Sequence, residues 1–162
     1  VGGRTASGLA YLIIAFGEEL ALRGVAFWAI ARSAGNAVAV LATGGVFGAL
    51  HLLNPSATWL AAGIVALVGV WFGVLTARTG SLWCAIGLHL SWNFCEGFVF
   101  GQPVSGLRPG LSLLSGTVGA AGFWNGGDFG PEAAGWTAVL PPRRGQLAER
   151  TLAGCETASR FV

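Results

Sequence analysis

Apolar and polar positions divide the chain into four long apolar stretches, about 7–31, 37–53, 58–77 and 82–100, before that pattern is lost altogether. Arg32 to Asn36, Asn54 to Ser56 and Arg78 to Ser81 supply the breaks, through Ser-Ala-Gly-Asn, Asn-Pro and Arg-Thr-Gly turn chemistry. Each stretch is of membrane length for a helix, and connections this short predict antiparallel neighbours. The expectation is an all-α fold, a polytopic transmembrane helix bundle. Gly44 and Gly48 in the second stretch, and Gly69 and Gly73 in the third, form GxxxG pairs where bare backbones can approach closely. Beyond Phe100, ten glycines fall between Gly101 and Gly135. The 101–140 region is expected to be a re-entrant or interfacial segment, and 141–162, rich in Pro and Arg, a solvated tail.

Composition sharpens the membrane reading. Charged residues make up 10% of the 162, against about 25% in an ordinary soluble domain, and mean hydropathy is +0.68. Ser33 to Ala77 holds no Asp, Glu, Lys or Arg, and His51 is its one titratable side chain. All nine basic residues are arginines, scattered rather than clustered, so no footprint for nucleic acid is present. Cys84 and Cys95 would lie about 16 Å apart along one helix, too far for a disulfide, and read as small apolar packers. Methionine is absent even at position 1, so Val1 is expected to be an internal starting point with further spans upstream.

Against this background the polar residues stand out. The run FGEELALRG places Glu18, Glu19 and Arg23 in an apolar helix, where each charge at mid-membrane costs about 2.5–3.5 kcal/mol on insertion scales unless it faces protein or water. Glu19 and Arg23 are about 40° apart around a helix, whereas Glu18 is about 140° from Arg23, so Arg23 should pair with Glu19 and leave Glu18 free. His51 closes FGALH, and HLSWN sets His89 and Asn93 on one helix face. Two Glu, two His, one Asn and one Arg in three apolar helices can satisfy one another only by converging on a polar intramembrane cavity. Such a cavity holds the parts for amide hydrolysis: a carboxylate to take a proton from water, an imidazole to orient that water, and imidazole plus carboxamide to donate to an oxyanion. Neither Ser nor Cys has the setting of a nucleophile, and Ser91, two residues from His89, faces away from it.

Glu18-Glu19-x-x-x-Arg23, Phe47-x-x-x-His51 and His89-x-x-x-Asn93, in that order on successive apolar stretches, resemble the signature of the CPBP family. This family comprises the type II CAAX prenyl proteases and their bacterial relatives, including bacteriocin-processing and self-immunity proteins. The resemblance covers about residues 8–100, and the segments GVLTARTGSLWCAIGLHLSWN and FGQPVSG also read like bacterial members. It implies an intramembrane endopeptidase in a bacterial inner membrane, surrounded by lipid and acting on a peptide or protein. On that analogy Glu18 is the general base, His51 holds the water, His89 and Asn93 stabilise the oxyanion, and Glu19 and Arg23 support the site. Members carry more spans than the four visible here.

A zinc ion is the alternative to metal-free catalysis, with Glu18, His51 and His89 as its ligands. The metal-free reading is favoured, because no H-E-x-x-H pattern is present and no carboxylate is evident in the sequence to orient either histidine. Two other functions use the same residues: a non-catalytic immunity or scaffold protein whose polar groups only join helices, and a fragment of a proton-coupled transporter.

Overall fold

The computed structural model describes residues 5–6, 8–116, 124–135 and 137, and the expected tail at 141–162 lies outside them. The described chain is mostly helical. Helix α1 (Gly8–Glu19) runs without a break through a wide π-helical turn, Leu20–Ala26, into α2 (Phe27–Ala34). Gly35, at φ 87°, reverses the chain into α3 (Asn36–His51). Thr58 caps α4 (Trp59–Thr79), its Oγ1 accepting the Ala61 N–H at 3.1 Å. Gly80 ends that helix at φ 64°, a left-handed position that glycine adopts without steric cost. Ser81 then caps α5 (Leu82–Asn93), which continues into a second π-helical turn, Phe94–Val99. The turn chemistry read from sequence therefore falls where the helices stop.

Among the described residues, Trp59–Thr79 is the one helix long and apolar enough to cross a membrane by length and composition, with mean hydropathy 2.2, while Asn36–His51 is a shorter apolar helix. Helices α3 and α4 pack together along the glycine pairs. A Cβ on Gly44 would lie 2.6 Å from Val70, one on Gly48 2.4 Å from the Ala62 carbonyl, and one on Gly69 2.9 Å from the Phe47 ring. Such separations are shorter than real Cβ contacts, so the seam requires glycine. Against this pair, α1 packs on α5.

The Gly-rich segment folds back over the helices. A parallel pairing of two residues, Thr5↔Arg108 and Ala6↔Pro109, ties it to the start of α1. Phe129 and Ala133 enter the core with Leu22, Phe47, Ala61 and Val65. The reading of both helical cysteines as small apolar packers is corrected: Cys84 is buried and disulfide-bonded, and Cys95 is free and exposed.

Candidate active site

The expected pairing of Glu19 with Arg23 is present and reaches further than the sequence suggests. Arg23 Nη1 donates to Glu19 Oε1 at 3.0 Å, and Nη2 donates to the Gly69 carbonyl of α4 at 2.8 Å. The guanidinium also lies over Phe47, 4.6 Å from the ring centroid, and 5.6 Å from that of Phe72. Both charged side chains are fully buried. The ion pair thus connects α1 to α4, and it explains why two charges are tolerated in an apolar helix: each is paired and hydrogen-bonded.

Glu19 Oε1 has a second donor. His89 Nδ1, from α5, approaches it at 2.9 Å. The expectation that no carboxylate orients either histidine is therefore wrong for His89. The cause is tertiary: residues 19 and 89 are brought together by the α1–α5 packing, and no local spacing encodes that contact. With Nδ1–H donated to Glu19, the other ring nitrogen faces Glu18, whose Oε2 is 3.7 Å from His89 Nε2. The adjacent glutamates are thereby separated. Glu19 is sealed at 0% exposure, while the Glu18 side chain keeps 32%.

His51 reaches the same neighbourhood from the last turn of α3. Its Nδ1 donates to the Phe47 carbonyl at 2.7 Å, which leaves Nε2 as the free ring nitrogen. Phe47 stands between the imidazoles, its centroid 4.5 Å from the His51 ring and 5.8 Å from the His89 ring. Helix α3 stops at His51, so the imidazole leaves from its last residue.

Asn93 lies one turn after His89, buried, with Oδ1 lacking a partner. Ser91 is excluded as a nucleophile by position: it is exposed and donates to the Gly87 carbonyl at 2.7 Å. Sequence reasoning missed Phe72, which stacks on His89 at 5.4 Å and 27°, and Gly69, whose carbonyl holds Arg23. The helical spacing of Gly69, Phe72, Gly73 and Thr76, all buried, was the available signal.

Zinc would need three ligands about 2.0–2.2 Å from one point. Glu18, His51 and His89 have suitable chemistry, and both histidines have Nδ1 tied as zinc ligands commonly do. Yet no group of three His, Cys, Asp or Glu among the described residues is gathered closely enough to hold a metal ion. As placed, these three are not a coordinating set.

A family model described as type II CAAX prenyl endopeptidase Rce1-like matches residues 5–95. Neither the curated proteins nor the solved structures give a match. The family is one of membrane-associated endopeptidases, and the matched stretch is more than half of the chain and includes all three polar motifs with the helices that carry them. On that match the chain belongs to the type II CAAX prenyl endopeptidase, Rce1-like family.

Proposed function

We propose that the chain carries the catalytic centre of an intramembrane endopeptidase in a bacterial inner membrane, and that it hydrolyses peptide bonds with a water activated by Glu18. The observation that carries this reading is the division of labour at Glu18 and Glu19. One carboxyl is buried and committed to Arg23 and His89, whereas its neighbour is partly open and faces His89 Nε2.

In the proposed reaction, water enters beside Glu18 and donates one hydrogen bond to His51 Nε2, which is an acceptor because Nδ1–H is engaged by Phe47 O. Glu18 takes the other proton as the water oxygen attacks the peptide carbonyl. The tetrahedral oxyanion needs donors, and these come from the Asn93 carboxamide and from His89. For His89 the role requires a doubly protonated ring, since its Nδ1–H already points at Glu19. Collapse of the intermediate breaks the C–N bond, and the proton held by Glu18 passes to the leaving amine. No step requires a metal. The outer side of α1 supports a lipid setting, because Leu9, Ile13, Phe16 and Leu20 form an exposed apolar stripe at helical spacing.

The test is cleavage of a quenched peptide library by the intact protein in detergent, with and without a chelator. Wild type should cleave in both conditions, and Glu18→Ala and His51→Ala should each abolish cleavage while the protein stays folded. Retained cleavage in Glu18→Ala overturns the assignment of the base, and chelator-sensitive cleavage overturns the metal-free route. An immunity or scaffold protein would show no cleavage in wild type.

A further inference from the structure

The His89 imidazole is held from three directions, and one of them lies outside the polar motifs. Its Nδ1 meets Glu19 Oε1 at 2.9 Å, the same oxygen that accepts from Arg23 Nη1. Phe47 stands edge-on, with ring centroids 5.8 Å apart and planes at 88°. Phe72 lies against the face, at 5.4 Å and 27°. Phe72 belongs to none of the three motifs, and the proposed hydrolysis gives it no part.

The three contacts constrain different freedoms. A hydrogen bond at Nδ1 fixes the place of one ring atom but leaves the ring able to tilt about that contact. An edge-on neighbour limits the tilt only along its own edge. A ring stacked on the face sets the plane itself, because tilting drives one side of the imidazole into the neighbour and lifts the other out of dispersion contact. Any such tilt carries Nε2 with it, and Nε2 is the atom 3.7 Å from Glu18 Oε2.

Phe72 can act as a fixed wall because its own surroundings are tight. It is buried on α4 between Gly69 and Gly73. A Cβ on Gly69 would lie 2.9 Å from the Phe47 ring, and one on Gly73 would lie 3.2 Å from Val40 Cα, so α4 sits hard against α3 on both sides of Phe72. Trp71 contacts the Phe72 ring in turn, at 5.7 Å and 28°. The two phenylalanines also divide their neighbours. The Arg23 guanidinium is nearer Phe47, at 4.6 Å against 5.6 Å for Phe72, whereas the His89 ring is nearer Phe72.

We propose that Phe72 is a positioning residue for peptide cleavage, setting the plane of the His89 ring so that Nε2 is aimed beside Glu18, where the oxyanion forms. The inference rests on the endopeptidase reading and adds to it a residue that acts only through His89.

A residue that merely fills the core would occupy the same space, so volume and flat face must be separated. Phe72→Leu and Phe72→Met keep an apolar side chain without the face, and Phe72→Tyr keeps the face. With the intact protein in detergent and a quenched peptide, Leu and Met should lower kcat about 10–100-fold with KM little changed, and Tyr should recover most of the loss. The chain has two histidines, so ring-15N histidine spectra assigned with His51→Gln report His89 directly. Wild type and Phe72→Tyr should show a hydrogen-bonded Nδ1 proton on His89. Leu and Met should lose or broaden it and leave the His51 signals in place. Wild-type kcat in either aliphatic variant overturns the role, as does a loss expressed in KM. So does a lowered kcat with the His89 signal unchanged, or a loss in Phe72→Tyr equal to that in Phe72→Leu. If neither aliphatic variant gives a folded melting curve, Phe72 is a packing residue and the role falls. Each of these outcomes leaves the endopeptidase reading intact as long as wild type cleaves. Absence of cleavage by wild type removes that reading and the positioning role together.

Discussion

The α3–α4 pair and the α1–α5 pair are built on opposite principles. Apart from His51, the first is joined by bare backbone: Gly44, Gly48 and Gly69 let the two helices touch where no side chain fits. The second is joined by charge, through Glu19, Arg23, His89 and the carboxyl of Glu18 beside them. Close apolar packing has one good geometry and little freedom to respond to a substrate. A polar network in a dry interior has the reverse character, since each group matters strongly and a change at one is felt by its neighbours. On the proposed reading, holding the fold and doing the chemistry are thus largely assigned to different helix pairs, with Arg23 bridging them through the Gly69 carbonyl.

The sharpest way to break this division is Glu18→Ala. It should lower kcat by about 10²–10⁴-fold and leave the melting temperature nearly unchanged, because that side chain is partly open. Single-turnover assays beside a melting curve decide it. Next in size is Arg23→Met, which strands a buried carboxylate and should cost about 3–5 kcal/mol of stability. Adding Glu19→Gln should recover part of that loss, as denaturant titration would show. Gly48→Ala comes third. Its methyl group would meet the Ala62 carbonyl, and the resulting strain of about 1–3 kcal/mol outweighs the roughly 1 kcal/mol by which alanine favours a helix.

A further expected effect concerns pH. Glu132, whose carboxyl lies near Glu96, Glu18 and His89, titrates at about 7 in the fold against 4.5 ordinarily. A raised acid binds more protons folded than unfolded, so its stabilising contribution is full below about pH 4.5 and is lost as pH rises through 7. Melting temperature should fall between pH 5 and 8, and Glu132→Gln should flatten that slope. A rise with pH would contradict it.

The helices were legible because long apolar runs punctuated by Gly, Pro, Asn and Ser leave little choice of structure, and the Glu19–Arg23 pair because it is a local spacing. His89 on Glu19 was not, since seventy residues separate them and only packing brings them together. The placement of Glu132 was hidden for a different reason: a Gly-rich segment carries no period from which a face could be read. The π-helical turns were equally silent, as Leu20–Ala26 has the composition of an ordinary helix.

Those wide turns carry a consequence for tolerated sequence length. Each holds the equivalent of one surplus residue inside an otherwise regular rod, and the first lies just past the two glutamates. Removing Val25, which points outward, would let that rod relax to an ordinary pitch with the residues on either side still turned the same way. The shortened chain would remain helical and insert normally, but Arg23 would lose its aim at the backbone of α4. A single-residue deletion, normally ruinous inside a helix, would here uncouple the scaffold from the reactive centre.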